Sequence, residues 1–143
     1  MDTQAYPMEF LYDGECAICR FDVAHLRRHD RHGRLRFIDI SGADFDPTPY
    51  GRSKAELLAR ITARRADGRI VEGPEVFRLA LAANGLGWLV APTRWPGLAC
   101  ITEASYRCFA RHRVQLSRRF GGIFARLTPV CDGDVCQRPG SGS

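Results

Sequence analysis

The run Met8-Glu9-Phe10-Leu11-Tyr12 ends at Asp13-Gly14, and Cys16-Ala17-Ile18-Cys19 then opens a helix-like stretch. No other stretch constrains the fold as much. The nucleophile in disulfide exchange is the thiolate, yet a free cysteine at neutral pH is mostly protonated. The first amides of a helix have no internal acceptor, and the positive end of its dipole favours an anion. Two cysteines three apart at a helix start therefore have a division of labour. The first sulfur, Cys16, is expected to face solvent with a lowered pKa. The second, Cys19, shares a stripe with Val23 and Leu26 and is expected to be shielded, about one turn on and within disulfide reach. A Cys-x-x-Cys alone leaves three readings open: a redox pair, half of a zinc site, or inert buried thiols. Its position between a strand and a helix favours the redox pair.

The rest of the chain supplies the elements for such a site. Residues 16–29 carry two adjoining apolar stripes, Cys19, Val23 and Leu26 on one and Ile18, Phe21 and His25 on the other. Residues 35–40 read as a second strand, so the first two strands are parallel with a right-handed crossover. After a loop over 41–51, Ser53 and Glu56 form a capping box for a short helix. Strands at 61–65 and 69–72 flank the hairpin signal Asp67-Gly68. Pro74 suits the first turn of a third helix that runs to about residue 83 and stops at Asn84-Gly85. This is an α/β, thioredoxin-type β-α-β-α-β-β-α order, with its site outside the carboxyl end of the first strand. Residues 8–85 form that core. Residues 86–128 read as a C-terminal helical extension, broken into short helices by Pro92, Pro96 and Gly97. The longest of these is expected at 98–112, with Leu98, Ile101, Tyr106 and Phe109 packing on the sheet or partly covering the site. Residues 1–7 are expected to be disordered, and 129–143 a flexible tail.

The string Tyr12-Asp13-Gly14-Glu15-Cys16-Ala17-Ile18-Cys19 resembles the signature of the DCC family of thiol-disulfide oxidoreductase-like proteins. That family is named for an Asp-x-x-Cys-x-x-Cys arrangement, matched here by Asp13, Cys16 and Cys19. The similarity continues through 26–40, 66–73 and 106–113, and covers most of residues 8–120. It implies a thioredoxin-like fold and thiol-disulfide exchange through Cys16 and Cys19. One departure from thioredoxin-like enzymes stands out. They carry a cis-proline before the third strand, whereas Leu58-Ala59-Arg60-Ile61 has none. The backbone surface that would hold a substrate's extended chain is therefore in question.

Composition narrows the function further. The 143 residues suit one domain, and 45% hydrophobic content supports a core. The net charge is +5, and Lys54 is the sole lysine. The arginines are interleaved with acids and few aromatics, so they read as solvated faces rather than a nucleic-acid patch. Residues 1–7 lack both the basic and the apolar part of a secretory leader. Residues 79–91 are too short to cross a bilayer. The expectation is a cytoplasmic protein with no membrane span, in a compartment where six cysteines do not form a disulfide framework.

Several side chains have two readings. Arg20, one turn after Cys16, is a candidate counter-ion or a solvated arginine, and Glu15 opposes thiolate formation. Asp13 caps the helix, shuttles protons, or simply makes the turn. Asp22 reads as a surface acid rather than a proton acceptor. Cys100 and Cys108 read as core or half-buried helix residues. Cys131 and Cys136, spaced Cys-x4-Cys, could close a small disulfide, resolve the active one, or join Cys16 and Cys19 around zinc. His25, His29, His32 and His112 show no ligand spacing with the cysteines. The reading adopted is exchange through the catalytic pair Cys16 and Cys19 with no bound cofactor or metal, on the model of a protein-disulfide reductase. The partners are a disulfide-containing protein or a small-molecule thiol, together with a reducing partner the sequence does not name. The alternative is a non-catalytic module, held by zinc or binding nucleic acid through its basic residues. Metal content and salt-dependent nucleic-acid binding discriminate the two.

Overall fold

The computed structural model describes residues 3–127, 130–132 and 135–137. Strand β1 (Met8–Tyr12) leads into helix α1 (Ala17–His29) and strand β2 (Leu35–Asp39). Helix α2 (Lys54–Ala59), strands β3 (Thr62–Arg64) and β4 (Ile70–Glu72), and helix α3 (Pro74–Ala83) follow. The four strands form one sheet in the order β2-β1-β3-β4. β1 runs parallel to β2 and antiparallel to β3, which is antiparallel to β4. This is the thioredoxin-like arrangement, and it places β1 at the centre with its carboxyl end at the cysteines.

Alternation along β1 builds two cores. Met8 and Phe10 point to the face covered by α1 and α3, where Val23, Leu26, Val76, Leu79 and Ala83 pack against them. Leu11 points to the other face and meets Ile40, Tyr50 and Leu57 of α2. The spacing of Val76, Leu79, Ala80 and Ala83 is the helical period that a one-sided core requires. The expected local signals form as well. The Ser53–Glu56 capping box is closed on both sides. Gly68 has the positive φ that the hairpin turn needs, at 82°. Pro74 is the first residue of α3.

Two expectations are corrected. Residues 3–7 are not loose: Thr3–Ala5 form a 3-10 turn, Ala5 is fully buried, and the Tyr6 hydroxyl donates to the Leu79 carbonyl at 2.6 Å. Residues 1–2 lie outside the described residues. The extension is not a series of short helices either. Helix α4 (Gly87–Val90) and a 3-10 turn (Ala91–Arg94) lead into α5 (Pro96–Leu127), a single helix of 32 residues. Pro96 opens α5 instead of breaking it, because a first-turn residue has no amide bond to lose. Gly121 and Gly122 do not interrupt it, since Gly121 lies against Ala17 of α1, where the helices cross closely. Beyond α5, β5 (Val130–Asp132) and β6 (Val135–Gln137) pair antiparallel, with Cys131 opposite Cys136. The other residues of the expected flexible tail lie outside the described residues.

Candidate active site

The Asp13-Gly14 turn is braced from β2. The Gly14 amide donates to the Asp39 carboxylate at 3.0 Å, and a Cβ on Gly14 would overlap that carboxylate. The turn delivers Cys16 to the N-cap of α1, in extended backbone at φ −82° and ψ 114°. Its Sγ accepts the Cys19 amide at 3.3 Å, as a serine oxygen would at an ordinary N-cap. Cys19 thus occupies the third helical position, and its thiol also hydrogen-bonds to Cys16. That bond and the Cys19 amide hold the Cys16 thiol down at about 6, against the pull of burial. Arg113 adds to the lowering and Asp13 opposes it. The Cys19 thiol is pushed well up, because its S–H donates a hydrogen bond to Cys16, it is partly buried, and its anion would share the site with a second one.

The expected exposure of the pair is reversed. Cys16 is only 7% exposed, while Cys19 is half-buried and lines a cleft. The cause is α5, which crosses the start of α1. The Ala17 amide, an unpaired helix-start donor, gives its proton to Ser117 Oγ at 3.0 Å. One turn before Ser117, Arg113 lines the cleft together with Tyr12, Asp13, Cys19 and Asp22. Arg113 has no ion-pair partner among the described residues. Phe124, two turns beyond Ser117, meets Phe21 edge-on at 5.6 Å. Tyr106, Ala110, Arg113, Ser117, Gly121 and Phe124 are spaced by three and four, so α5 turns one stripe toward α1 and the sheet.

The first half of that stripe closes the other side of the cleft. The Tyr106 hydroxyl accepts the Ile61 amide at 2.8 Å, and the Ile61 carbonyl accepts the Gly73 amide at 2.9 Å. Arg60 pairs with Glu103 at 2.9 Å and lies over the Tyr106 ring. Both backbone groups of Ile61, the residue at the place of the missing cis-proline, are therefore occupied from within the chain.

The remaining candidates fall as follows. Arg20 is exposed and turns back to the Gly14 carbonyl at 3.2 Å, so it caps the turn. The Asp13 carboxylate accepts the Glu15 amide at 3.0 Å and lines the cleft, while the Glu15 side chain is exposed. Asp22 is not a free surface acid. It is partly buried in the cleft one turn after Cys19, and burial, then the nearby Cys16 charge, pushes its carboxyl up to about 6. Cys100 and Cys108 are exposed rather than half-buried. His25 stacks on His29 and meets Phe21 at a tilt. No three His, Cys, Asp or Glu side chains converge as metal ligands among the described residues. The Cys131 and Cys136 side chains, on which the zinc reading depends, lie outside them. Sequence reading picked out the two thiols but neither Arg113 nor Ser117. The only signal for those two was their spacing of four on a helix whose length was underestimated.

An uncharacterised chloroplast protein of Arabidopsis thaliana is 32% identical over 118 residues, which is 81% of this chain and 55% of that protein. The chain thus spans about half the length of this curated relative. A chloroplast relative lends no support to a cytoplasmic location, and no described helix is long and apolar enough to cross a membrane. No solved structure gives a significant match. Residues 10–119 match the DCC1-like thiol-disulfide oxidoreductase family, so they contain the turn, both cysteines and the Arg113 and Ser117 turns of α5. On that match, the chain belongs to the DCC1-like thiol-disulfide oxidoreductase family.

Proposed function

We propose that the protein exchanges disulfides through Cys16 and Cys19, with Cys16 as nucleophile and Cys19 as resolving thiol. The observation that carries this reading is the N-cap geometry of Cys16. Its sulfur accepts two hydrogen bonds from Cys19 and is an anion at neutral pH, with its pKa near 6. In the first step the Cys16 thiolate attacks a substrate disulfide. One substrate sulfur leaves as a thiolate, and a mixed disulfide forms on Cys16. Asp22 then takes the Cys19 proton, for which a carboxyl near pH 6 is well matched. The Cys19 thiolate attacks the Cys16 sulfur, and the second substrate sulfur leaves and is protonated. The substrate has gained two electrons, and the pair is left as a disulfide that an external thiol reduces. Arg113 stabilises the thiolate, in the role that sequence alone offered to Arg20.

The substrate is a small disulfide or thiol rather than an extended protein segment. A peptide would pair with the backbone at the entry to β3, and there Tyr106 and Gly73 already hold Ile61. The test is reaction of the reduced protein with glutathione disulfide. Wild type should turn over, Cys16→Ser should not turn over, and Cys19→Ser should stop at a mixed disulfide on Cys16, located by peptide mass spectrometry apart from the exposed Cys100 and Cys108. An adduct on Cys19 in the Cys16→Ser protein, or none in either variant, would defeat this assignment.

A further inference from the structure

Among the described residues, every large apolar side chain with strong exposure lies between Trp88 and Leu127. Trp88 is 71% exposed and Trp95 69%, and they are the chain's only two tryptophans. The charge follows the same division. Residues 86–127 hold seven arginines and a single acid, Glu103, in a chain whose total net charge is +5, so the remainder is close to neutral. Glu103 is itself taken up by Arg60 and Arg107. Arg111, Arg118, Arg119 and Arg126 have no ion-pair partner among the described residues.

The two features are also ordered in space. At 100° per residue, Leu98, Ile101, Phe109, Phe120, Ile123 and Leu127 fall on one side of α5. That side adjoins, but does not coincide with, the stripe that carries Arg113 and Ser117. Arg119 and Arg126 flank it, and Val114 is the one exposed apolar residue on the opposite side. Between α5, α3 and the 3-10 turn lies an open groove lined by Phe77, Val90, Ile101 and Phe109, which joins the stripe to the segment bearing the tryptophans. An exposed stripe of this kind marks an interaction surface.

We propose that the extension 86–127 docks on an anionic lipid surface, with its apolar stripe and both tryptophans in the acyl boundary and its arginines among the headgroups. The composition is that of an interfacial helix: aromatic and aliphatic residues on one side, arginine beside them, and no described helix both long and apolar enough to span a bilayer. A second copy of the chain would bring like charge against like. A nucleic acid would use the arginines but not the apolar stripe. An anionic lipid surface uses both. This docking is separate from the thiol chemistry and does not depend on it.

The test uses the full chain with vesicles of phosphatidylcholine alone and of phosphatidylcholine mixed with phosphatidylglycerol. Sedimentation should carry the protein down with the mixed vesicles only, and tryptophan emission should shift to the blue. Added salt should reverse binding. Arg119→Gln and Arg126→Gln should each weaken it about fivefold, since one arginine near such a surface contributes about 1 kcal/mol. Trp95→Ser should reduce the emission shift to the part that Trp88 supplies, and should weaken binding. In solution none of these variants should change the rate with glutathione disulfide, because none lines the cleft. Equal binding to both vesicle types, binding to neither, or a stable dimer that shields the tryptophans would each overturn the proposal.

Discussion

Two side chains of the cleft lead to measurements. Among the described residues, Arg113 is the cation placed to act on Cys16 from outside its own helix. Arg113→Gln should raise the Cys16 pKa toward the ordinary value of about 8.5, read from thiolate absorbance against pH, and Arg113→Lys should restore part of the shift. An unmoved titration would assign the lowering to Cys19 alone. Asp22 is the second. Its folded pKa, about 6, is raised, so the folded protein holds an extra proton that the unfolded chain loses near pH 4. Stability therefore falls as pH rises through that window, and above it the buried carboxylate is a standing cost. Asp22→Asn should make the protein more stable at pH 7 by about 1–2 kcal/mol in denaturant melts. It should also slow release of the mixed disulfide about a hundredfold, since the proton acceptor is lost. The placement of Cys16 and Cys19 at a helix start was legible in the sequence because it depends on local spacing. Asp22 and Arg113 were not, because only the placement of α5 makes one buried and brings the other across.

Short-range signals predicted most of the elements. The Ser53 cap, the Asp67-Gly68 turn and the Pro74 start each act within a few residues, and each formed where it was read. The misreading of α5 has the same root. Proline and glycine are breakers by propensity, and propensity yields to packing when two helices cross closely. Gly121 and Gly122 test this directly. A Cβ at Gly121 would meet Ala17 at 3.9 Å, ordinary contact, and one at Gly122 would meet nothing within 4 Å. Each change to alanine should therefore stabilise the protein by up to about 1 kcal/mol, the helical cost of glycine, seen as a higher melting temperature. Gly14→Ala should do the reverse, since its Cβ overlaps the Asp39 carboxylate that orients the turn. Tyr106 joins α5 to the entry of β3. Tyr106→Phe leaves the Ile61 amide without its acceptor, at about 1 kcal/mol. It should also raise the rate with a peptide disulfide relative to glutathione disulfide, because it opens an edge to an extended chain.

Across the whole molecule, the ionisation of Cys16 links stability to pH. The folded Cys16 pKa is depressed, so its contribution to stability is fully present above the unfolded value of about 8.5 and is lost as pH falls through about 6. The disulfide form has no such group. Between pH 8 and pH 5, below the range where the raised Cys19 thiol acts in the opposite direction, the reduced protein should thus lose about 2–3 kcal/mol relative to the oxidised one, measured by paired denaturant melts. Equal pH dependence of the two forms would mean that the thiolate is not stabilised by the fold. The bond from Ala17 to Ser117 spans 100 residues, and this matters before the protein is complete. On the ribosome the first helix emerges long before Arg113 and Ser117 have been synthesised, and domains settle only when their parts are present. Until then Cys16 lacks the charge and the cover that α5 brings. The nascent chain therefore carries a thiol closer to ordinary reactivity, and its full acidity arrives only when the last third of the sequence closes over it.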